Sequence, residues 1–147
     1  MADEWKYDGT LIICSDPDME NGNLLKDAKI HLIPKEERWV FLGWLGAPLA
    51  LAHPTFLRID FDHVMRQIEF ARKKKNFKPG KRDNFMIVSH VCAYYEVVEE
   101  IAHRKFTVDD MMIDVATGMN HLRSHFRGAT AKGFFKKPGR PGFEQIH

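Results

Sequence analysis

Two histidines have the spacing of a possible metal site. His121 and His125 are four residues apart, so a helix would present both on one face. Such a pair can bind zinc, with His103 or Asp114 as a third ligand brought in by folding. The zinc-peptidase pattern, however, requires a glutamate directly after the first histidine, where this chain has Leu122. We therefore expect two solvated histidines, no metal site and no cofactor.

The two cysteines are candidates for redox or ligand chemistry. Cys14 and Cys92 are far apart in the chain, and each lies in an apolar run. No CxxC spacing is present, so the sequence gives no metal motif. We expect two reduced, buried thiols in a cytoplasmic protein, with a single disulfide as the alternative.

Positive charge is concentrated in one basic segment. Its cations are Arg72, Lys73, Lys74, Lys75, Lys78, Lys81 and Arg82. Such a segment, with Phe77 inside it, could bind phosphates and stack on a base. A helix C-terminus followed by a solvated loop explains the same charges. Since the net charge of the chain is only +2, nucleic acid is the less favoured partner.

The elements that would position these residues divide the chain into two halves. Apolar, β-rich runs at 10–15, 28–33 and 38–43 predict strands, the last two joined as a hairpin. In the second half, apolar residues at helical spacing predict helices near 60–75 and 94–101. A short buried strand is expected between those helices, at residues 85–88.

The last predicted helix has a clear start. Thr107 is a good N-cap, and Asp110 completes a capping box three residues later. From Arg127 onward the chain is rich in Gly, Pro and Lys, so we expect one domain over 1–127 and a basic tail over 128–147. The aromatic pair Phe134-Phe135 in that tail either contacts a protein partner or packs back on the domain.

Size and composition agree with a packed protein outside the membrane. The chain has 147 residues, 44% hydrophobic and 12% aromatic, which suits one globular domain and argues against disorder. The acidic start MADEWKYDG is not a signal peptide. The longest apolar stretch, 39–52, is interrupted by glycine and proline and is too short to cross a bilayer. We expect a cytoplasmic protein with no membrane partner.

Several short motifs occur in an order known from one enzyme family. They are Asp8-Gly9-Thr10 through Asp16, Gly22-Asn23, Lys29-Ile30 and Gly43-Trp-Leu-Gly46-Ala47. Together they resemble the opening of proteasome β-type subunits, a family that includes the bacterial heat-shock peptidase. The pieces at 86–91 and 106–110 are similar to its second half. The resemblance implies a shortened N-terminal-nucleophile hydrolase fold, an α/β sandwich of antiparallel β-sheets flanked by helices.

The resemblance also implies site residues. Asp16 and Lys29 match the Asp and Lys that tune the family's nucleophile. The backbone at Gly43, Gly46 and Ala47 matches the wall of the substrate cleft.

The nucleophile itself is missing from the expected position. Removal of Met1 exposes Ala2, which has no nucleophilic atom. The bond between Gly9 and Thr10 is similar to the bond at which family precursors cleave themselves, and cleavage there would free Thr10.

From these features we expect a non-catalytic, self-associating structural or accessory component, a homo-oligomer whose compact size would suit a viral protein. The first alternative is an active threonine-type peptidase or amidohydrolase. The second alternative is a nucleic-acid-binding module that uses the basic segment.

Overall fold

The computed structural model describes residues 9–14, 24–33, 39–44, 52, 61–75, 83–91, 94–140 and 142–147. The strands in these ranges are β1 (Gly9–Cys14), β2 (Trp39–Trp44), β3 (Asn84–His90), β4 (Thr130–Lys136) and β5 (Glu144–Ile146). The longer helices are α1 (Leu24–His31), α2 (Phe61–Lys74), α3 (Tyr94–Ala102) and α4 (Val108–His125). Helices and strands alternate along most of the described chain, and the predicted α/β class is confirmed.

The described strands form one five-stranded sheet in the order β2-β1-β3-β4-β5. The first four are parallel, and β5 is antiparallel to β4. The chain runs from β1 outward to β2 and then crosses back to β3 on the other side of β1. The winding direction therefore reverses between β1 and β3, as in a doubly wound sheet.

The prediction of antiparallel sheets is wrong for β1 to β4, which are parallel. The hairpin predicted between residues 28–33 and 38–43 is wrong as well, because Leu24–His31 is a helix. The buried residues Leu24 and Ala28 lie one turn apart on this helix, while Ile30, expected on the inner face of a strand, is exposed. A helix between two strands is the connection that parallel pairing requires.

The predicted boundary at residue 127 also differs from the structure. β4 pairs with β3 along its whole length, and Phe135 is fully buried. A side chain at Gly133 would collide with Val115 and Met119 of α4, so the absence of a side chain here allows the helix to approach the strand closely. Residues 130–136 and 144–146 are thus strands of the sheet. Lys132 and Lys136 of the predicted tail alternate along β4 with the buried residues Ala131, Gly133 and Phe135.

The core lies between the sheet and its helices. Residues 85–90 of β3 are all buried, as expected for a central strand covered on both faces. α4 contributes Met111, Val115, Met119 and Leu122, spaced by three or four residues, and packs on β3 and β4. Burial of each such side chain stabilises the fold by roughly 1.5–3 kcal/mol.

The start of α4 agrees with the sequence prediction. The Asp110 backbone N–H donates to the Thr107 hydroxyl at 3.1 Å, and the Thr107 backbone N–H donates to the Asp110 carboxylate at 2.8 Å. Both halves of the capping box are therefore formed. Across the described ranges, no helix combines the length and apolar character needed to span a membrane.

Candidate functional site at the carboxyl edge of the sheet

The carboxyl ends of the four parallel strands meet at one edge of the sheet. The strands end there at Cys14, Trp44, His90 and Lys136. In open α/β sheets, ligands bind outside this edge at the point where the winding reverses. That point lies between Cys14 and His90, the last residues of β1 and β3.

Among the described residues at this edge, His90 has a buried side-chain nitrogen without a hydrogen-bond partner. Its side chain is 7% exposed, and Nε2 is buried with no hydrogen-bond partner in the described part of the chain. An unpaired buried polar atom costs about 1–3 kcal/mol. Such an atom requires an explanation, and a bound ion is one of the standard ones.

Cys14 lies beside this histidine across the β1–β3 pair. Since Ile13 is in register with Val88, Cys14 is level with Ser89, one position before His90. Strand spacing and rise put the Cα atoms of Cys14 and His90 about 6 Å apart. Because successive residues of a strand point to opposite faces, position 14 lies on the face of Ser89 and His90 lies on the other face. The two residues are neighbours along the edge, but they do not face each other.

Two further donor residues follow these strand ends in the sequence. Asp16 is two residues after Cys14, and Cys92 is two residues after His90. Both lie outside the described residues. Within the described ranges there is no group of three His, Cys, Asp or Glu side chains arranged to hold a metal ion.

A buried hydrogen bond is formed by two residues that follow β3 in the sequence. The Tyr95 hydroxyl, in the first turn of α3, donates to the Asp114 carboxylate of α4 at 2.8 Å. Both residues are buried, and the Tyr95 ring packs against Phe106 with the centroids 5.6 Å apart. The bond joins the two helices that follow β3.

Thr10, the candidate nucleophile, is at the opposite edge of the sheet. It is the second residue of β1, is 0% exposed, and lies between Val40 of β2 and Phe85 of β3. A side chain at Gly9 would collide with the Asn84 carbonyl, so the bond between Gly9 and Thr10 is in a closely packed strand. This burial weighs against Thr10 as a nucleophile, which must be reached by a substrate.

The other residues implied by the proteasome resemblance are spread over the fold. Lys29 is half-buried on α1, and Gly43 pairs with Ile13 next to the carboxyl edge. Asp16, Gly46 and Ala47 lie outside the described residues. Their proposed roles stay predictions.

Arg72 does not belong to a solvated basic patch. Its side chain is 9% exposed and forms an ion pair with Asp83 at 2.6 Å. The guanidinium lies 4.9 Å from the ring centroid of Phe85 and 5.1 Å from that of Phe126. The prediction for this residue is wrong because its planar cation stacks on aromatic rings between helix and sheet.

The rest of the basic segment divides between exposed and undescribed positions. Lys73, Lys74 and Lys75 are exposed at the end of α2. Lys78, Lys81 and Arg82 lie outside the described residues.

The histidine pair of α4 has other contacts. His125 Nε2 is 2.9 Å from Glu69 Oε1, and its ring is edge-on to Phe126. His121 is half-buried and also has an interaction partner.

One described cleft has a different character. It has a volume of about 610 Å³ at the end of α3 and is lined by Glu96, Glu99, Glu100, His103, Arg104 and Lys105. Glu99 accepts from the Phe106 backbone N–H at 2.6 Å and pairs with Lys105 at 3.8 Å. The glutamate thus stabilises the turn before α4.

Sequence reasoning missed that Cys14 and His90 end neighbouring strands at the same edge. The usable signal was that each residue ends an apolar run, and that Cys92 follows His90 by two residues. Because the parallel order of β1 and β3 was not predicted, nothing in the sequence connected the two ends.

The chain matches no protein-family model, no curated protein and no solved structure. The resemblance to proteasome β-type subunits is therefore neither supported nor excluded by such relatives. The functional argument depends on the geometry of the carboxyl edge.

Proposed function

We propose that this protein binds a small polar ligand at the carboxyl edge of its sheet, with the His90 imidazole as a contact. The observation that carries the proposal is the buried, unpartnered Nε2 of His90 at the point where the winding reverses. A ligand that enters from this edge can supply the missing hydrogen-bond partner.

A thermal-shift screen of small polar compounds tests this proposal directly. A compound that binds at the carboxyl edge should raise the thermal midpoint of wild-type protein, and His90→Ala should lose this shift because it removes the contact. His125→Ala is the matched control, because His125 is bonded to Glu69 away from the strand ends. A shift that His90→Ala retains, or the absence of any shift in wild type, would refute the proposal.

Self-association, expected from the sequence, is a second proposal. It is supported by Val97 and Ile101, two apolar side chains one turn apart on α3, each 42% exposed. A second copy that covered this face would remove both from water. Light scattering of the purified protein measures its molar mass in solution and so tests whether it self-associates.

A further inference from the structure

Helix α2 presents an aromatic side chain to solvent. Phe70 is 64% exposed, more than any other large apolar side chain among the described residues. The buried residues Val64, Met65 and Ile68 lie on the other side of the same helix and pack into the core. A single exposed apolar residue is common, so the significance of Phe70 depends on the residues around it.

The exposed neighbours of Phe70 on α2 are basic or uncharged. With 3.6 residues per turn, positions three, four and seven residues away lie on the same side of a helix. The exposed residues at these positions are His63, Arg66, Gln67, Lys73 and Lys74. Together with Phe70 they form the outer face of α2, opposite the core, and none of them is acidic.

The acids of α2 flank this outer face. Glu69 Oε1 lies 2.9 Å from His125 Nε2, so the carboxylate is directed towards α4. Asp62 is in the first turn, at the end of the helix away from Lys73 and Lys74. Lys75 adds another exposed cation after the last turn. The charge around Phe70 is therefore most positive towards the C-terminal end of α2.

We infer that the outer face of α2 binds single-stranded nucleic acid, with a base stacked on Phe70. Arg66, Lys73 and Lys74 then contact phosphates on either side of that base. An exposed ring among cations is the combination by which proteins bind single strands with little sequence preference. From His63 to Lys74 the face is about 17 Å long, which gives room for several nucleotides.

Other large partners fit this face less well. A helix that lies on a membrane inserts an apolar face, and the apolar face of α2 is buried in the core. Lysine is depleted at protein–protein interfaces, so Lys73 and Lys74 beside Phe70 favour a polyanion over a protein surface. In a duplex the bases are already stacked on one another, so stacking on Phe70 favours a single strand.

Fluorescence anisotropy of the full chain with labelled oligonucleotides tests the aromatic contact. The probes are oligothymidylate and oligouridylate of about 15 nucleotides, and the better binder shows whether DNA or RNA is preferred. Phe70→Ala should bind about 5- to 150-fold more weakly, whereas Phe70→Trp retains a ring and should bind as wild type does. Ile113→Ala is the matched control, since Ile113 is 62% exposed on α4 and follows the acids Asp109 and Asp110.

The salt dependence of binding tests the cations. If three phosphates are contacted, an increase from about 50 to 200 mM salt should weaken wild-type binding about 20-fold. The double variant Lys73→Ala, Lys74→Ala should weaken only about threefold over the same range. Lys105→Ala combined with Lys132→Ala removes the same charge from exposed positions elsewhere and should behave as wild type does.

Four results would each overturn the inference. They are no binding of either oligonucleotide by wild type at about 50 mM salt, wild-type affinity in Phe70→Ala, equal weakening in the control variants, and tighter binding to a duplex of the same length. Vesicles of anionic lipid are a further probe, and binding to them but to neither oligonucleotide would assign the face to a membrane surface instead. All the substituted side chains are exposed, so circular dichroism should show an unchanged fold.

Discussion

Individual residues show how neighbours decide the role of a side chain. Arg72 stands first in a run of cations, yet its guanidinium is buried beside Asp83 and two aromatic rings. Lys73, its neighbour in sequence, is exposed. His90 and His125 have the same chemistry, but one has a buried, unpartnered nitrogen and the other is bonded to Glu69.

Replacement of Arg72 should destabilise the fold. Arg72→Ala leaves Asp83 without its ion pair and removes the cation from two rings, so we expect a loss of about 3 kcal/mol in the free energy of unfolding. Urea denaturation measures the loss. Lys73→Ala, one residue away and exposed, should change stability by less than about 0.5 kcal/mol. Equal effects of the two changes would show that Arg72 has no special role.

For the helices and strands, the sequence predicted several individual elements well, but it did not predict how the strands pair in the sheet. The strand at 10–15 and the capped helix from Thr107 follow from composition and spacing, and both are present. Residues 28–33 were misassigned because alternation over six residues also fits the end of an amphipathic helix. The Cys14–His90 juxtaposition depends on the parallel register of β1 and β3, which no local pattern specifies.

The cap of α4 should give the protein a measurable dependence on pH. The Thr107 backbone N–H donates to the Asp110 carboxylate, and this bond, with help from the Thr107 side chain and Arg104, lowers the pKa of Asp110. Because the pKa is lower in the folded state, the contribution is full above the ordinary aspartate pKa of about 4 and is lost as the pH falls further.

Asp110→Asn tests this dependence. Its thermal midpoint should be lower than that of wild type at pH 7, and the difference should shrink at pH 3, where the wild-type carboxylate is becoming protonated. Circular dichroism at the two pH values measures both proteins. A difference that is constant with pH would mean that the charge of Asp110 has no part in the cap.

For the whole molecule, the C-terminal strands are necessary to complete the sheet. A chain ending at residue 127 lacks β4 and β5 and exposes the edge of β3, with its row of buried apolar residues. We expect this truncated chain to aggregate, whereas full-length protein stays dispersed. Size-exclusion chromatography compares them. A soluble, cooperatively unfolding 1–127 fragment would support the original division into domain and tail.

Association of whole molecules is tested on the α3 face. If a second copy covers Val97 and Ile101, the double change to lysine should convert the oligomer to monomer, because two charges would be buried at the contact. Phe70→Lys is the control, since Phe70 is 64% exposed on α2. Wild-type protein that is monomeric at high concentration would end this proposal.

The late position of β4 in the chain has a consequence for synthesis. Asn84, at the start of β3, is in register with Thr130, which leaves the ribosome 46 residues later. During that interval β3 has emerged with one edge unpaired, next to an already synthesised β1 and β2. The chain is therefore most open to wrong pairing with other nascent chains shortly before completion, and translation pauses between β3 and β4 should lower the yield of folded protein.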